Sequence, residues 1–97
     1  MREKQIDIAR FLDENGRLKQ LPSKSAMRKL AHAYIAGKFE YGVNYTEHEV
    51  NAIISQWHTF DDYFVLRRGL VEDGYLRRVP DGSRYWRNEA CKAGEDD

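Results

Sequence analysis

Apolar side chains recur along this chain at two periods, about 3.6 residues through its middle and 2 near its end, and the change falls at Gly74. Met27, Leu30, Ala31, Tyr34 and Ile35 follow the helical spacing between Ser23, a predicted N-cap, and Gly37. Lys24, Arg28, Lys29 and His32 fall elsewhere around that helix. Thr46 and Glu49 have the spacing of a capping box, in which hydroxyl and carboxylate each satisfy a backbone N–H at a helix start. Val50, Ile53, Ile54 and Trp57 then supply a buried face. Asp61 is placed to cap a third helix that runs to Asp73 and stops at Gly74; its apolar arc comprises Tyr63, Phe64, Leu66, Leu70 and Val71.

Beyond Gly74 the stretches 75–79 and 83–87 flank Pro80-Asp81-Gly82, whose proline and glycine suit a short hairpin loop. Residues 41–45 are placed to add a short third strand. Ahead of the first core helix, 3–13 reads as a short helix with Ile8, Phe11 and Leu12 on one side, ended by Asn15-Gly16. The segment from Arg17 to Leu21 alternates and ends at Pro22, which suits a short edge strand or an extended linker. The succession predicts an α+β, mainly helical fold. It has a winged helix-turn-helix-like three-helix core (23–37, 46–57, 61–73), a C-terminal β-hairpin wing and an extra N-terminal helix. An unrelated α+β domain with a terminal hairpin is the alternative. The expected organisation is an N-terminal helix over 1–15, a domain over 16–88 and a flexible acidic tail over 89–97.

Composition narrows the class. Ninety-seven residues, 41% hydrophobic and 33% charged, fit one small globule with a heavily charged surface. No apolar run approaches the roughly 20 residues that cross a bilayer, and MREKQIDIARFLDENG lacks a secretory signal, so the expected location is the cytoplasm, with no membrane role. Cys91 is the only cysteine, which excludes an internal disulfide and a multi-cysteine zinc site.

The formal net charge is zero, yet the charges are clustered. Residues 17–38 hold six cations and no acid, and 40–62 hold five acids and no Lys or Arg. Six arginines between 67 and 87 face Glu72, Asp73 and Asp81.

Arg67 falls inside the apolar arc of its helix. A guanidinium there cannot shed its charge, so a structural ion pair with Glu47 or Glu49 is expected, with a ligand-binding role as the alternative. Arg68 faces outward beside Asp61, Val65 and Glu72. Arg77, Arg78, Arg84 and Arg87 on the wing are the better candidates for nucleic-acid phosphate, although strand alternation keeps them off a single face. Lys24 and Arg28 on the first core helix would extend that surface; a solvated helix face is the plainer reading. Trp57, Trp86 and the six tyrosines could form a stacking platform, with core and wing packing as the plainer account. His32, His48 and His58 lack metal-ligand spacing, the serines stand in no nucleophile context, and no phosphate-binding glycine loop is present. The expectation is no enzyme, no cofactor and no metal.

Four groups of residues also carry a likeness. These are Gly16-Arg17-Leu18 with Leu21-Pro22; Tyr45-Thr46-Glu47 followed by Glu49-Val50-Asn51; Asp62 with Leu66-Arg67-Arg68 and Leu70-Val71; and Gly74, Leu76 and Arg78 with Gly82 and Tyr85. Together, over about 16–87, they resemble the bacterial domain of unknown function 2087 (DUF2087) family. Members of that family are small cytoplasmic proteins or are fused to helix-turn-helix regulatory domains. The resemblance therefore implies a place in transcription regulation, no catalytic activity and no site residues.

Two functions follow as expectations. One is a transcription-regulation-associated domain that binds duplex DNA through the wing arginines and the 61–73 helix, as a homodimer because one module this small and neutral holds DNA weakly. The other is a protein-interaction module that keeps the scaffold, binds a regulatory protein partner and has no DNA binding of its own.

Overall fold

The computed structural model describes residues 8–89; the expected acidic tail beyond Glu89 and the segment before Ile8 lie outside the described residues. Three helices, α1 (Ser25–Ala36), α2 (Glu47–Gln56) and α3 (Tyr63–Glu72), precede an antiparallel pair, β1 (Leu76–Arg78) and β2 (Tyr85–Arg87). The arrangement is α+β and winged-helix-like, as the order of helical and strand periods predicts.

Each helix start has a local cause. At α2 both capping-box bonds are present: Glu49 N–H donates to the Thr46 hydroxyl at 3.1 Å, and Thr46 N–H donates to the Glu49 carboxylate at 2.9 Å. At α3 the cap is Asp62 rather than Asp61, and its carboxylate accepts from Val65 N–H at 3.3 Å. Asp61 instead takes φ +53°, a left-handed turn position that aspartate tolerates better than most residues, and this moves the helix start one residue on. The N-cap position of α1 is Lys24, not Ser23, and the helix has no side-chain cap. Lys24 is still extended there, so the Ser23 hydroxyl stands one residue too early; its carbonyl accepts from the Arg28 guanidinium at 2.7 Å. Helix α3 ends as predicted. Gly74 adopts φ +82°, Tyr75 N–H donates to Leu70 C=O at 2.9 Å and Gly74 N–H to Val71 C=O at 3.0 Å, the paired bonds of a glycine-terminated helix.

Strands β1 and β2 pair Leu76 with Arg87, Arg77 with Trp86 and Arg78 with Tyr85. The expected third strand is reduced to one reciprocal pair of 2.8 Å bonds between Tyr45 and Tyr85. Residues 17–21 form no strand either: Leu18 alone bridges Leu12 on one side and His58 on the other. Where it is described, the expected N-terminal helix is a single 3₁₀ turn, Ile8–Phe11, after which Leu12 is extended to meet Leu18.

Leu18, Ile35, Phe39, Val50, Ile54, Leu66, Leu70 and Leu76 are fully enclosed and join the three helices to the inner face of the hairpin. Each such side chain contributes roughly 1.5–3 kcal/mol by leaving water. Two assignments of the helical wheels fail. His32, placed away from the apolar face of α1, is buried at the α1–α3 contact. Tyr63 and Phe64, placed in the apolar arc of α3, are 40% and 53% exposed, because the first turn of α3 projects past the core that its later turns cover. Among the described residues no helix is long and apolar enough to cross a membrane.

Candidate nucleic-acid interface

Pairing within the hairpin sorts the wing arginines, because residues directly opposite one another share a face and neighbours along a strand do not. Leu76 and Tyr85 are buried, so the face they define is the inner one. Arg87, opposite Leu76, and Arg78, opposite Tyr85, emerge at the edges of that inner face. Arg87 lies 4.0 Å from the ring centre of Tyr41, with Nη1 3.4 Å from the Phe39 carbonyl. Arg78 folds onto the turn, donating to the carbonyls of Val79 and Pro80 at 3.2 and 2.9 Å.

The outer face holds Arg77 and Trp86, and Arg84 alternates onto it ahead of Tyr85. The Arg84 guanidinium stands 5.4 Å from the Trp86 ring centre. Arg77 and Arg84 are exposed, Trp86 is partly buried, and all three border a shallow depression of about 540 Å³ with Asn44, Arg87 and Glu89. Two cations and an indole on one two-stranded face offer forked donors to phosphate oxygens and a flat surface for stacking. The tip of the wing is different. The Ser83 hydroxyl and then Ser83 N–H, 2.9 Å from the carboxylate, hold Asp81 below the usual aspartate range, so the tip keeps a negative charge.

The structure does not bring the other named cations to this face. Arg68 on α3 pairs with Glu72 at 3.1 Å, both about two-thirds exposed. Arg28 is bound to the Ser23 carbonyl, and Lys24 is exposed at the start of α1. Arg67 is the expected bracket, with a corrected set of partners. Its side chain is 14% exposed; Nη1 lies 2.5 Å from the Asn51 side-chain oxygen and 3.4 Å from Glu47. Glu49 takes no part, because its carboxylate is turned back to cap α2. Asn51 escaped the sequence reading although it stands one turn after Glu47 on the same side of α2, which is the signal that could have found it.

Two histidines also gain roles that periodicity does not reveal. His58 is buried between α2 and α3: Asp62 N–H donates to its Nε2 at 2.8 Å, which leaves Nδ1–H to donate to the Ile54 carbonyl at 2.8 Å. His32 meets the Asp73 carboxylate at 2.6 Å through Nδ1, and its buried Nε2 has no hydrogen-bond partner among the described residues. Among those residues no three His, Cys, Asp or Glu side chains gather as a metal site would need.

The profile of a bacterial family described as "uncharacterized protein conserved in bacteria (DUF2087)" matches residues 17–87, which span α1 to β2 and with them the whole hairpin. Neither the curated proteins nor the solved structures contain a match to this chain.

Proposed function

The chain belongs to the DUF2087 family, and we propose that it is a cytoplasmic, non-enzymatic regulatory domain that holds duplex DNA by its phosphate backbone through the outer face of the hairpin. One observation carries the reading. Arg77 and Arg84 share that face with Trp86, and neither joins an ion pair among the described residues.

The same geometry argues against base reading by α3. In helix-turn-helix proteins the first turns of the recognition helix meet the base edges. Here Asp61 and Asp62 stand immediately ahead of the helix, Arg67 is held by Glu47 and Asn51, and Arg68 is held by Glu72. Carboxylates at that position repel phosphate. Contact through the hairpin alone positions the domain on the backbone and carries little sequence information.

The test is a titration of labelled random-sequence duplex at two salt concentrations. The reading expects salt-dependent binding whose log–log slope falls by about 2 in the Arg77→Ala/Arg84→Ala double variant, roughly 1 per phosphate contact removed. Arg78→Ala, which changes only a turn contact, should leave the slope in place. Binding that ignores salt, or is equal in the double variant, removes the reading.

One observation favours the second function, protein docking. Tyr63, Phe64 and Val65 are exposed side by side at the start of α3.

A further inference from the structure

Tyr85 is only 3% exposed, yet its hydroxyl has no hydrogen-bond partner among the described residues. Tyr85 lines a hollow of about 460 Å³ between α2, α3 and the hairpin. The hydroxyl stands beside Gly82, where an added Cβ would lie 3.8 Å from it and 3.0 Å from Glu47 Oε1. Two more groups on the same hollow are only partly engaged. Arg67 meets Asn51 and Glu47 through Nη1, and its Nε and Nη2 make no hydrogen bond among the described residues. The Glu47 carboxylate, 3.4 Å from that guanidinium, accepts no hydrogen bond among them either. The other charges of the lining are engaged: Arg68 with Glu72, Arg78 with two turn carbonyls and Asp81 with Ser83 N–H. Phe64 and Val71 give the hollow an apolar wall. Enclosed polar groups are ordinarily paired, so an open fork, a hydroxyl and a carboxylate converging beside an apolar wall mark a place for a polar ligand.

The chemistry of those groups narrows the ligand. Arginines 67, 68 and 78 are balanced by Glu47, Glu72 and Asp81, so the lining gives a plain anion or a plain cation no net attraction. The side-on fork of a guanidinium takes a carboxylate through two parallel bonds, and a neighbouring carboxylate takes an ammonium. Opposite charges side by side on the protein fit a ligand that carries opposite charges side by side. We infer that this hollow binds a free α-amino acid with an apolar side chain. Its carboxylate rests on Nε and Nη2 of Arg67 and accepts from the Tyr85 hydroxyl, its ammonium donates to Glu47, and its side chain lies against Phe64 and Val71. An open hollow with so few contacts implies weak affinity, on the order of 1 mM. The inference does not rest on DNA binding, since neither Arg77 nor Arg84 lines the hollow.

An amide shift titration of the ¹⁵N-labelled full chain with L-phenylalanine and with L-leucine tests it. Saturable changes should centre on Phe64, Arg67, Gly82 and Tyr85. 3-Phenylpropionate, which lacks the ammonium, and phenethylamine, which lacks the carboxylate, should each bind roughly tenfold more weakly than phenylalanine, the worth of one charge-assisted contact. Arg67→Met should abolish binding. Tyr85→Phe removes one oxygen and should weaken binding several-fold, which keeps the test intact should Arg67→Met fail to fold. Arg77→Ala/Arg84→Ala, on the other face of the hairpin, should bind as the wild type does. The inference is overturned by the absence of a saturable change with both amino acids, by changes centred elsewhere, by 3-phenylpropionate binding as well as phenylalanine, or by undiminished binding in Tyr85→Phe.

Discussion

His32 on α1 and Gly69 on α3 meet with no room for another carbon: a Cβ at Gly69 would lie 2.3 Å from His32 Nε2 and 2.4 Å from Cε1. The imidazole cannot easily swing aside, since its Nδ1 is bonded to Asp73 at the end of the same helix. The glycine lets α1 and α3 approach, and the histidine ties that approach to the C-terminus of α3.

Gly69→Ala should therefore destabilise the protein although alanine favours a helix. Overpacking costs up to about 3 kcal/mol and the gain in helix propensity is about 1, which leaves a net loss of about 1–2 kcal/mol. A thermal melt should show it as a fall of roughly 4–8 °C per kcal/mol. His32→Ala should remove most of the added penalty, so the two substitutions together should cost less than their sum. A melting temperature equal to that of the wild type in Gly69→Ala would refute the contact.

Arg67 gives a prediction of order. It is mostly buried between Asn51, Glu47 and the rings of Tyr63 and Phe64, its guanidinium carbon 5.9 and 5.3 Å from their centres. Removing one member of such a pair strands the other, whereas an apolar replacement of the cation strands nothing charged in the core. Urea unfolding should show Glu47→Ala to be the more damaging, at about 1 kcal/mol because Glu47 is 45% exposed and screened, and Arg67→Met nearly neutral. The reverse order would place Arg67 in a role other than bracing α2 against α3.

These contacts also show what the sequence made legible. Several signals that act within a few residues read correctly, Thr46 with Glu49, Gly74 after α3, and Pro80-Asp81-Gly82 between the strands, while the caps assigned to Ser23 and Asp61 each fell one residue early. The contacts that failed or were missed join residues far apart in the chain. His32 fell off the apolar face of its helix, and its burial could not be read there because its partner Asp73 is 41 positions away and periodicity carries no record of that distance. Tyr63 and Phe64 lie on the apolar side of their wheel, but a wheel does not say where the core ends along the helix. The wing arginines were visible as a cluster; their division into an outer pair and two inner-edge residues needed the register of Arg77 on Trp86.

A pH dependence follows from Asp13. Arg17 N–H, bonded to its carboxylate at 2.8 Å, is the largest influence holding it below the usual aspartate range, and Asn15 N–H at 2.9 Å and the Arg17 guanidinium add to it. A carboxyl depressed in the folded state contributes stability that is fully present above the unfolded value of about 3.9 and is lost as pH falls through the lower folded value. Wild-type stability should therefore decline below about pH 4, and part of that decline should be absent in Asp13→Asn. Identical acid profiles for the two chains would contradict the loop geometry.

The most direct measurement of the central claim is an amide shift map, recorded as unlabelled random duplex is added to the ¹⁵N-labelled chain at low salt. The account predicts that the largest changes fall at Arg77, Arg84 and Trp86, and that Phe64, Val65 and Arg68 on α3 move no more than the protein average. Changes centred on α3, or none at all, would contradict it.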